Sequence, residues 1–331
     1  MNKVFLVGST LLLSSIFSYA QPTPVQQVES TVKIQEQQRR MMTLESGTLA
    51  PELYPGENDD VGPQHILKLK PRHEWFNAIV DSQFLYTSNT RLANNSEGST
   101  LWVNAVEAAI APKTFSLLKR DIATRAGFRL QWYNYDLDQS PSVLSIFDFH
   151  AQTAFIEQSF APADNWLATY GLEATRLLQQ PSYDEIYKEF APNWGLSRSF
   201  PISKDKLFMI SYKGYYRLSE TTPALVLPFL TTVGNVNDRT DHTVIFSYSQ
   251  EIFPKLIVQP FYRFQYTHFT TVSSRNDYLN TAGIFLSYNV CKNASVRTFV
   301  TYERRDTDNV TLASEYDKFD TGLGVTLNLK F

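Results

Sequence analysis

The last ten residues of the chain, 322–331, alternate without exception between apolar and small or polar side chains. A period of two places successive side chains on opposite faces of a strand, so this segment predicts a strand with one apolar and one polar face. A soluble sheet rarely exposes an aromatic residue at its very end, whereas the closing strand of an outer-membrane barrel must present one face to lipid. The apolar positions are Leu323, Val325, Leu327, Leu329 and Phe331.

The same alternation recurs from Trp75 to the end of the chain. Each alternating run has about the 9–11 residues that a tilted membrane strand needs. The pattern predicts an antiparallel transmembrane β-barrel of about twelve strands, with about ten or fourteen left open. The segments lie near 75–86, 101–111, 122–135, 143–157, 166–177, 194–200, 206–217, 241–250, 256–269, 277–289, 295–305 and 319–331.

Three of these segments are irregular. Segment 143–157 is also compatible with a helix, and segment 194–200 places Arg198 on the outer face of the predicted barrel. Pro260 removes a backbone donor from its strand, so we expect a β-bulge at that position.

The connections between the segments fall into two classes. If the C-terminus is periplasmic, the connections on that side are mostly short: 112–121, 158–165, 201–205, 251–255 and 290–294. The connections on the other side are longer and rich in Asn, Asp, Ser and Thr: 87–100, 136–142, 178–193, 218–240, 270–276 and 306–318. Short turns at one end and long loops at the other are typical of outer-membrane barrels.

Two of the longer connections contain apolar residues. Loop 178–193 places Tyr183, Tyr187 and Phe190 at helical spacing, which predicts either a lid over a pore or a helix packed on the barrel rim. Loop 218–240 contains the apolar run 225–230, for which folding into the pore, contact with a partner and entry into lipid all remain open.

The first 74 residues have a different character. Residues 1–20 combine a short, weakly basic start, an apolar stretch and a small-x-small ending at Ala20, which predicts a signal peptide cleaved after that residue. Residues 21–74 are broken by repeated prolines and predict a periplasmic arm or a plug segment that enters the barrel. The barrel itself is then 75–331, exported to the outer membrane.

Composition excludes several classes of function. The formal net charge of −3 provides no basic surface for nucleic acid. The single cysteine, Cys291, excludes an intramolecular disulfide, and we expect neither a metal nor a cofactor. His65 and His73 are too isolated to form a ligand set, and His242 and His268 fall on the predicted outer face near strand ends.

Charged residues occur at the polar positions of the predicted strands. We therefore expect them to face the lumen and to set its selectivity. Two interpretations stay open: an excess of basic groups lines a water-filled passage that favours anions, or both signs pair across the lumen and close it. The residues are Arg125, Arg129, Lys213, Arg217, Arg263, Arg297, Arg305, Asp81, Glu107, Asp148, Glu173 and Glu303.

A catalytic alternative rests on two residues. Asp148 and His150 are two apart, so on a strand they share a face, and Ser145 is nearby. A hydrolase needs an activated nucleophile within reach of such a pair, and none is identifiable, so the pair favours a hydrogen-bonded cluster in the lumen.

The C-terminal half resembles the uncharacterised β-barrel porin type of outer-membrane protein in diderm bacteria. The likeness is carried by the runs 261–266, 275–278, 283–288 and 302–306 and by the closing strand, with a second block at 50–57 and 61–64. The resemblance implies a fold and a location and brings no catalytic motif. The terminal alternation also resembles the signal read by the barrel-assembly machinery, which here falls on Val325, Leu327, Leu329 and Phe331.

The sequence therefore predicts a non-enzymatic barrel in contact with outer-membrane lipid. Its leading function is a passive pore for small polar solutes, with a preference for anions. The alternative is a sealed structural or adhesive barrel that binds a partner through its outer loops, and an outer-membrane hydrolase ranks third.

Overall fold

The computed structural model describes residues 73–90, 92, 97–117, 120–135, 148–221, 237–271, 275–310 and 315–330. The predicted signal peptide and almost all of the predicted arm lie outside these ranges. In the described part of the chain, no helix has the length and apolar character needed to cross a bilayer. The strands are β1 (Phe76–Thr87), β2 (Ser99–Ile110), β3 (Phe115–Leu117), β4 (Arg120–Tyr135), β5 (Phe149–Phe160), β6 (Trp166–Gln179), β7 (Glu185–Ser203), β8 (Lys206–Thr221), β9 (Arg239–Phe253), β10 (Leu256–Phe269), β11 (Arg275–Cys291), β12 (Ala294–Thr307) and β13 (Tyr316–Lys330).

All of these strands except β3 form one closed antiparallel sheet. Consecutive strands pair around the ring, β2 pairs directly with β4, and β13 returns to β1. The closing seam runs in continuous register from Asn77↔Lys330 to Thr87↔Asp320. The short β3 lies beside the start of β4. Closure gives every strand of the ring two neighbours, so the sheet has no free edge, and the predicted twelve-stranded barrel is confirmed.

The two faces of the wall differ in the way that the alternation predicts. In β13, Leu323, Val325, Leu327 and Leu329 are exposed, and the polar side chain between two of them, Thr326, is buried. Phe331 lies outside the described residues. The other strands of the ring follow the same rule, with exposed apolar side chains outside and buried polar ones inside. An apolar outer surface of this extent is stable against lipid rather than water.

The lengths of the connections distinguish the two ends of the barrel. Short turns at 161–165, 204–205, 254–255 and 292–293, together with 111–119, form one end, here called the turn end. The opposite end, here called the mouth end, carries the connections 88–98, 136–148, 180–184, 222–238, 270–274 and 308–315. Most mouth connections are longer than the turns, as the sequence predicted.

The prediction for 178–193 was wrong. Only 180–184 connects β6 to β7, and β7 begins at Glu185. Tyr187 and Phe190 lie in this strand, opposite Leu177 and Ala174 of β6. A helix-like spacing of a few apolar residues is also satisfied by a strand, and here the backbone ladder to β6 decides the conformation.

Two further expectations resolve differently. Segment 194–200 is the middle of β7, and Arg198 lies on the outer face, where its guanidinium is 5.2 Å from the ring centroid of Trp166 and 4.6 Å from that of Phe200. The bulge expected at Pro260 is absent from β10, because the register to β9 is the same on both sides of it. The irregularity lies instead between Leu256 and Ile257, next to the turn.

Candidate functional site

The charged inner face of the barrel is the candidate site. Eleven of the twelve charged residues predicted to line the lumen lie on this face, and the assignment follows from strand parity and burial. Their role in selectivity stays a prediction. They are Arg125, Arg129, Lys213, Arg217, Arg263, Arg297, Arg305, Asp81, Glu107, Glu173 and Glu303.

The first cluster spans the closing seam. Arg297 of β12 donates through both Nη atoms to the carboxylate of Asp81 in β1, at 2.7 and 2.8 Å. Thr326, on the strand between them, donates to the same carboxylate at 2.6 Å, and Gln83 donates to it at 2.8 Å. A two-pronged guanidinium–carboxylate contact is stronger than a single hydrogen bond and fixes the geometry of both groups.

The second cluster lies between β2 and β4. Glu107 accepts from Arg125 through one oxygen, and from Arg129 through the other, with the Nε of Arg129 at 2.7 Å. Both guanidinium groups lie over the ring of Phe155, at 5.0 and 5.7 Å from its centroid. Two cations therefore meet one carboxylate and one aromatic face, which attracts cations.

The third cluster joins β7, β8 and β9 toward the mouth end. Arg217 contacts Glu189 on one side, and its Nε lies 2.6 Å from Asp241 on the other. Arg239 lies 3.4 Å from Asp241 and 3.8 Å from Glu189. The hydroxyl of Tyr187 donates to Glu189 at 2.7 Å.

The fourth cluster centres on Glu303 of β12. Arg263 donates to it at 2.8 Å from β10, and the hydroxyl of Tyr316 donates at 3.0 Å from β13. Lys318 lies 3.6 Å from Glu303 and 2.9 Å from Asp320. The acid is thus held between two cations on opposite sides.

The remaining inward cations contact aromatic rings. Arg275 lies 3.7 Å from the ring centroid of Phe269 and pairs with Asp277 at 3.0 Å. Arg305 lies 4.8 Å from the ring centroid of Tyr316. The Nζ of Lys213 is 4.8 Å from the centroid of Tyr215 and 3.8 Å from Glu173.

Several charged members of these clusters were not singled out from the sequence. Arg239, Arg275 and Lys318 fall in predicted loops, although the structure places all three in strands. Glu189 lies in the part of β7 that was predicted to be a loop helix. Asp241 and Asp277 are the first residues of their predicted segments, where parity is hardest to assign. Correct strand bounds would have identified all of them by parity alone.

These inner contacts follow the wall. The ion pairs described above join residues of one strand, of neighbouring strands or of strands separated by one other, as between Arg239 and Asp241 or between Arg297 and Asp81. Adjacent inward charges of opposite sign are therefore satisfied along the circumference of the barrel. The long basic side chains of these pairs therefore meet acidic partners on the same or nearby strands.

Asp148 and His150 do not form the predicted lumen pair. Asp148 precedes β5 and accepts the backbone N–H of Tyr135 at 2.7 Å; burial raises the pKa of this carboxyl, and that hydrogen bond partly offsets the rise. His150 points to the outer face, where its ring contacts Trp132 and Tyr183 at centroid distances of 6.0 and 5.2 Å. The prediction failed because the odd-numbered residues of β5, such as Phe149 and Ala151, are the buried, inward-facing ones, so His150 falls on the outer face.

The other two strand histidines lie on the outer face. His242 Nδ1 is 2.8 Å from the hydroxyl of Tyr212, and its ring stacks with those of Tyr212 and Tyr266 at centroid distances of 6.2 Å. His268 Nδ1 lies 2.8 Å from the Asn276 side chain. In the described residues, no group of three or more His, Cys, Asp or Glu side chains is arranged to hold a metal ion.

A polar contact also ties the loop after β12 to the start of β11. Asn276 donates to Asp308 through its backbone N–H at 2.8 Å and through its side-chain amide at 2.6 Å. Both donors stabilise the ionised carboxylate and lower the pKa of Asp308.

Comparison with known proteins gives matches among solved structures only. No protein-family model matches the chain, and no curated protein matches it. The NanC porin matches with a TM-score of 0.41 and 10% identity, over 76% of this chain and 100% of that one. The KdgM porin matches with a TM-score of 0.38 and 9% identity, over 75% of this chain and 98% of that one. An outer membrane channel from Pseudomonas putida F1 matches with a TM-score of 0.46 and 8% identity, over 77% of this chain and 96% of that one.

The assignment of the fold depends on the structure of this chain and not on these matches. A closed antiparallel wall, an exposed apolar outer face and a buried, charged inner face occur together in one type of protein. The chain is a transmembrane β-barrel of the outer-membrane type.

Proposed function

We propose that the protein is a passive outer-membrane pore for small polar solutes. The observation that carries this proposal is the charged inner face, whose ion pairs run along the wall instead of across the lumen. Side chains held against the wall leave the axis of a twelve-stranded barrel to water and solute. A barrel of this size lies between small barrels filled by side chains and the wide porins, so the passage is narrow.

We further propose a mild preference for anions. At Glu107, two guanidinium groups meet one carboxylate, which leaves a local positive excess. Glu303 also has two cationic partners, Arg263 and Lys318, and Lys318 shares its charge with Asp320 at 2.9 Å. Rings of fixed charge bias the ions that pass a constriction, and a carboxylate already held by two cations repels a passing anion less.

A sealed barrel that binds a partner through its outer loops is the second candidate. One observation favours it: Ala191 and Ser211 face inward with small side chains, yet they are only 0% and 1% exposed. Such burial is expected where the lumen is filled at their level. The hydrolase alternative has no such support, since His150 faces outward and Ser145 lies outside the described residues.

Conductance in planar bilayers tests the pore. The purified, folded protein is expected to produce ion currents, and under a KCl gradient the reversal potential is expected to show a preference for chloride. Arg129→Gln and Arg263→Gln each remove an inward cation, so each should shift the reversal potential toward cations.

Arg304→Gln is the matched control. Arg304 is exposed on the outer face, where its Nε pairs with Asp306 at 3.0 Å, so its loss should leave selectivity unchanged. Silent bilayers with folded protein would reject the pore in favour of the sealed barrel. Currents whose selectivity ignores both inward substitutions would reject the anion preference alone.

Contact with outer-membrane lipid, insertion by the barrel-assembly machinery through the closing strand, and export by a signal peptide cleaved after Ala20 are parts of the same proposal. Lipid contact and insertion through the closing strand agree with the outward placement of Val325, Leu327 and Leu329.

A further inference from the structure

The outer face of β4 to β8 contains a depression. Its volume is about 670 Å³. Along one row of paired positions, the wall presents Phe128, Ala154, Ala174, Phe190 and Leu218 in that order. The two alanines form a low floor between larger apolar side chains, all of which line the depression. A trough of this kind in a lipid-facing wall has the shape and polarity to accept an acyl chain.

A polar row borders the trough on its mouth side. The next outward positions are Gln152, Arg176, Lys188 and Glu220, again opposite one another in register. The Nε of Arg176 donates to Gln152 Oε1 at 2.7 Å, which holds the guanidinium in place. Lys188 pairs with Glu220 at 2.7 Å, and Glu185 also lines the depression.

The position of these charges argues for a headgroup. A charged side chain on the lipid face is costly at the middle of a bilayer and nearly free of cost at its boundary. The polar row therefore marks the membrane boundary at the mouth end. Arg176 is exposed, and its two Nη groups have no acceptor among the described residues. Arginine held in this way presents a planar pair of donors suited to a phosphate.

We propose that this site binds a phosphorylated glycolipid of the lipid A class. One acyl chain lies in the trough between Phe128 and Phe190, and a phosphate is held by Arg176 and Lys188. The long-loop end of an outer-membrane barrel faces the outer leaflet, where such lipids reside, and the polar row lies toward the mouth end, which carries the longer loops. Glu220 and Glu185 balance the charges of Arg176 and Lys188 in the absence of lipid, and Lys188 exchanges Glu220 for the phosphate on binding.

Native mass spectrometry of the full-length protein in detergent, titrated with lipid A, tests the proposal. Arg176→Gln removes the charge and the donor pair, and Ala174→Phe fills the trough. Each is expected to weaken lipid A binding by about tenfold, because a charge-assisted hydrogen bond or a buried chain segment contributes at least that factor. Arg304→Gln, an exposed outer-face arginine away from the trough, should bind like the parent.

Heat-dependent gel mobility establishes that each variant is folded before binding is measured. Unchanged binding in both Arg176→Gln and Ala174→Phe would overturn the site, and so would an equal loss in Arg304→Gln. Dimyristoyl phosphatidylglycerol serves as the second probe. If it binds as tightly as lipid A with the same dependence on Arg176, the assignment to lipid A is overturned. These outcomes are independent of conductance.

Discussion

Several inward acids of this barrel are held by more than one donor. Asp81 accepts from Arg297, Thr326 and Gln83, and it is buried together with the guanidinium that it binds. Such a pair is a weak source of net stability while it is intact. Removal of one partner is costly, because it leaves a buried charge without its counterpart.

Asp81→Asn should therefore destabilise the barrel strongly. The substitution keeps the size of the side chain but leaves the positive charge of Arg297 uncompensated, at a cost of roughly 3 kcal/mol in the free energy of unfolding. Urea unfolding in detergent, followed by tryptophan fluorescence, measures the change. Asp306→Asn breaks the exposed pair with Arg304 and should leave stability unchanged within error. Equal losses in the two variants would contradict the interpretation of the seam cluster.

Much of this inner face could be predicted from single residues. The parity of a polar residue within an alternating run was enough to place Arg129 and Glu303 inside. Parity does not tell which strand lies opposite, so the pairing of Arg297 with Asp81, 216 positions apart, could not be read from the sequence. Asp148 was misplaced because a residue outside the ladder has no parity.

Among the elements, the strands were more predictable than their connections. Alternation located every strand of the ring, because each needs an apolar outer face whatever its neighbours are. The first half of β7 and the ends of β9 were missed, because the bounds of a strand depend on its backbone pairing and the spacing of apolar residues in the first half of β7 also fits a helix. Backbone pairing between strands, which no local pattern encodes, extends them there.

The two-residue turn between β9 and β10 provides a test at this scale. Lys255 has φ of 70°, a left-handed conformation that is costly for a residue with a side chain and free for glycine. Lys255→Gly should therefore stabilise the barrel by about 1 kcal/mol in urea unfolding. Asn165, with φ of 61° in the turn before β6, is the control, because asparagine tolerates this region. Asn165→Gly should have little effect on stability. An equal gain in stability from Asn165→Gly, or a loss of stability from Lys255→Gly, would contradict the claim that the backbone at Lys255 is strained.

At the scale of the whole molecule, closure of the sheet is the feature that creates an enclosed polar interior. Alternation alone is equally satisfied by an open sheet with one apolar face. Only the pairing of β1 with β13 converts that sheet into a wall with an inside, and only then do Asp81, Arg297 and Thr326 meet. The lumen thus exists only if the ring is closed, and closure can be tested at the seam between β1 and β13.

Cysteine cross-linking across the seam tests closure directly. Ser82 of β1 lies opposite Val325 of β13, and the N–H of Ser88 donates to the carbonyl of Phe319 at 2.9 Å further along the same seam. Every second pair from there, including Ser82↔Val325, is therefore a hydrogen-bonded pair, with Cα atoms about 5.5 Å apart, a separation that a disulfide spans.

With Cys291→Ser to remove the exposed native thiol, Ser82→Cys combined with Val325→Cys should oxidise to an intramolecular disulfide in the folded protein. Its formation is measured by the shift in mobility on a non-reducing gel. Ser82→Cys combined with Leu323→Cys is offset by one outward position, because Leu323 lies opposite Phe84. This diagonal separation, about 7–8 Å, exceeds the reach of a disulfide, so the control should remain reduced. A cross-link in the offset pair but not in the aligned pair would refute this register, and its absence from both would refute the closed ring on which the pore depends.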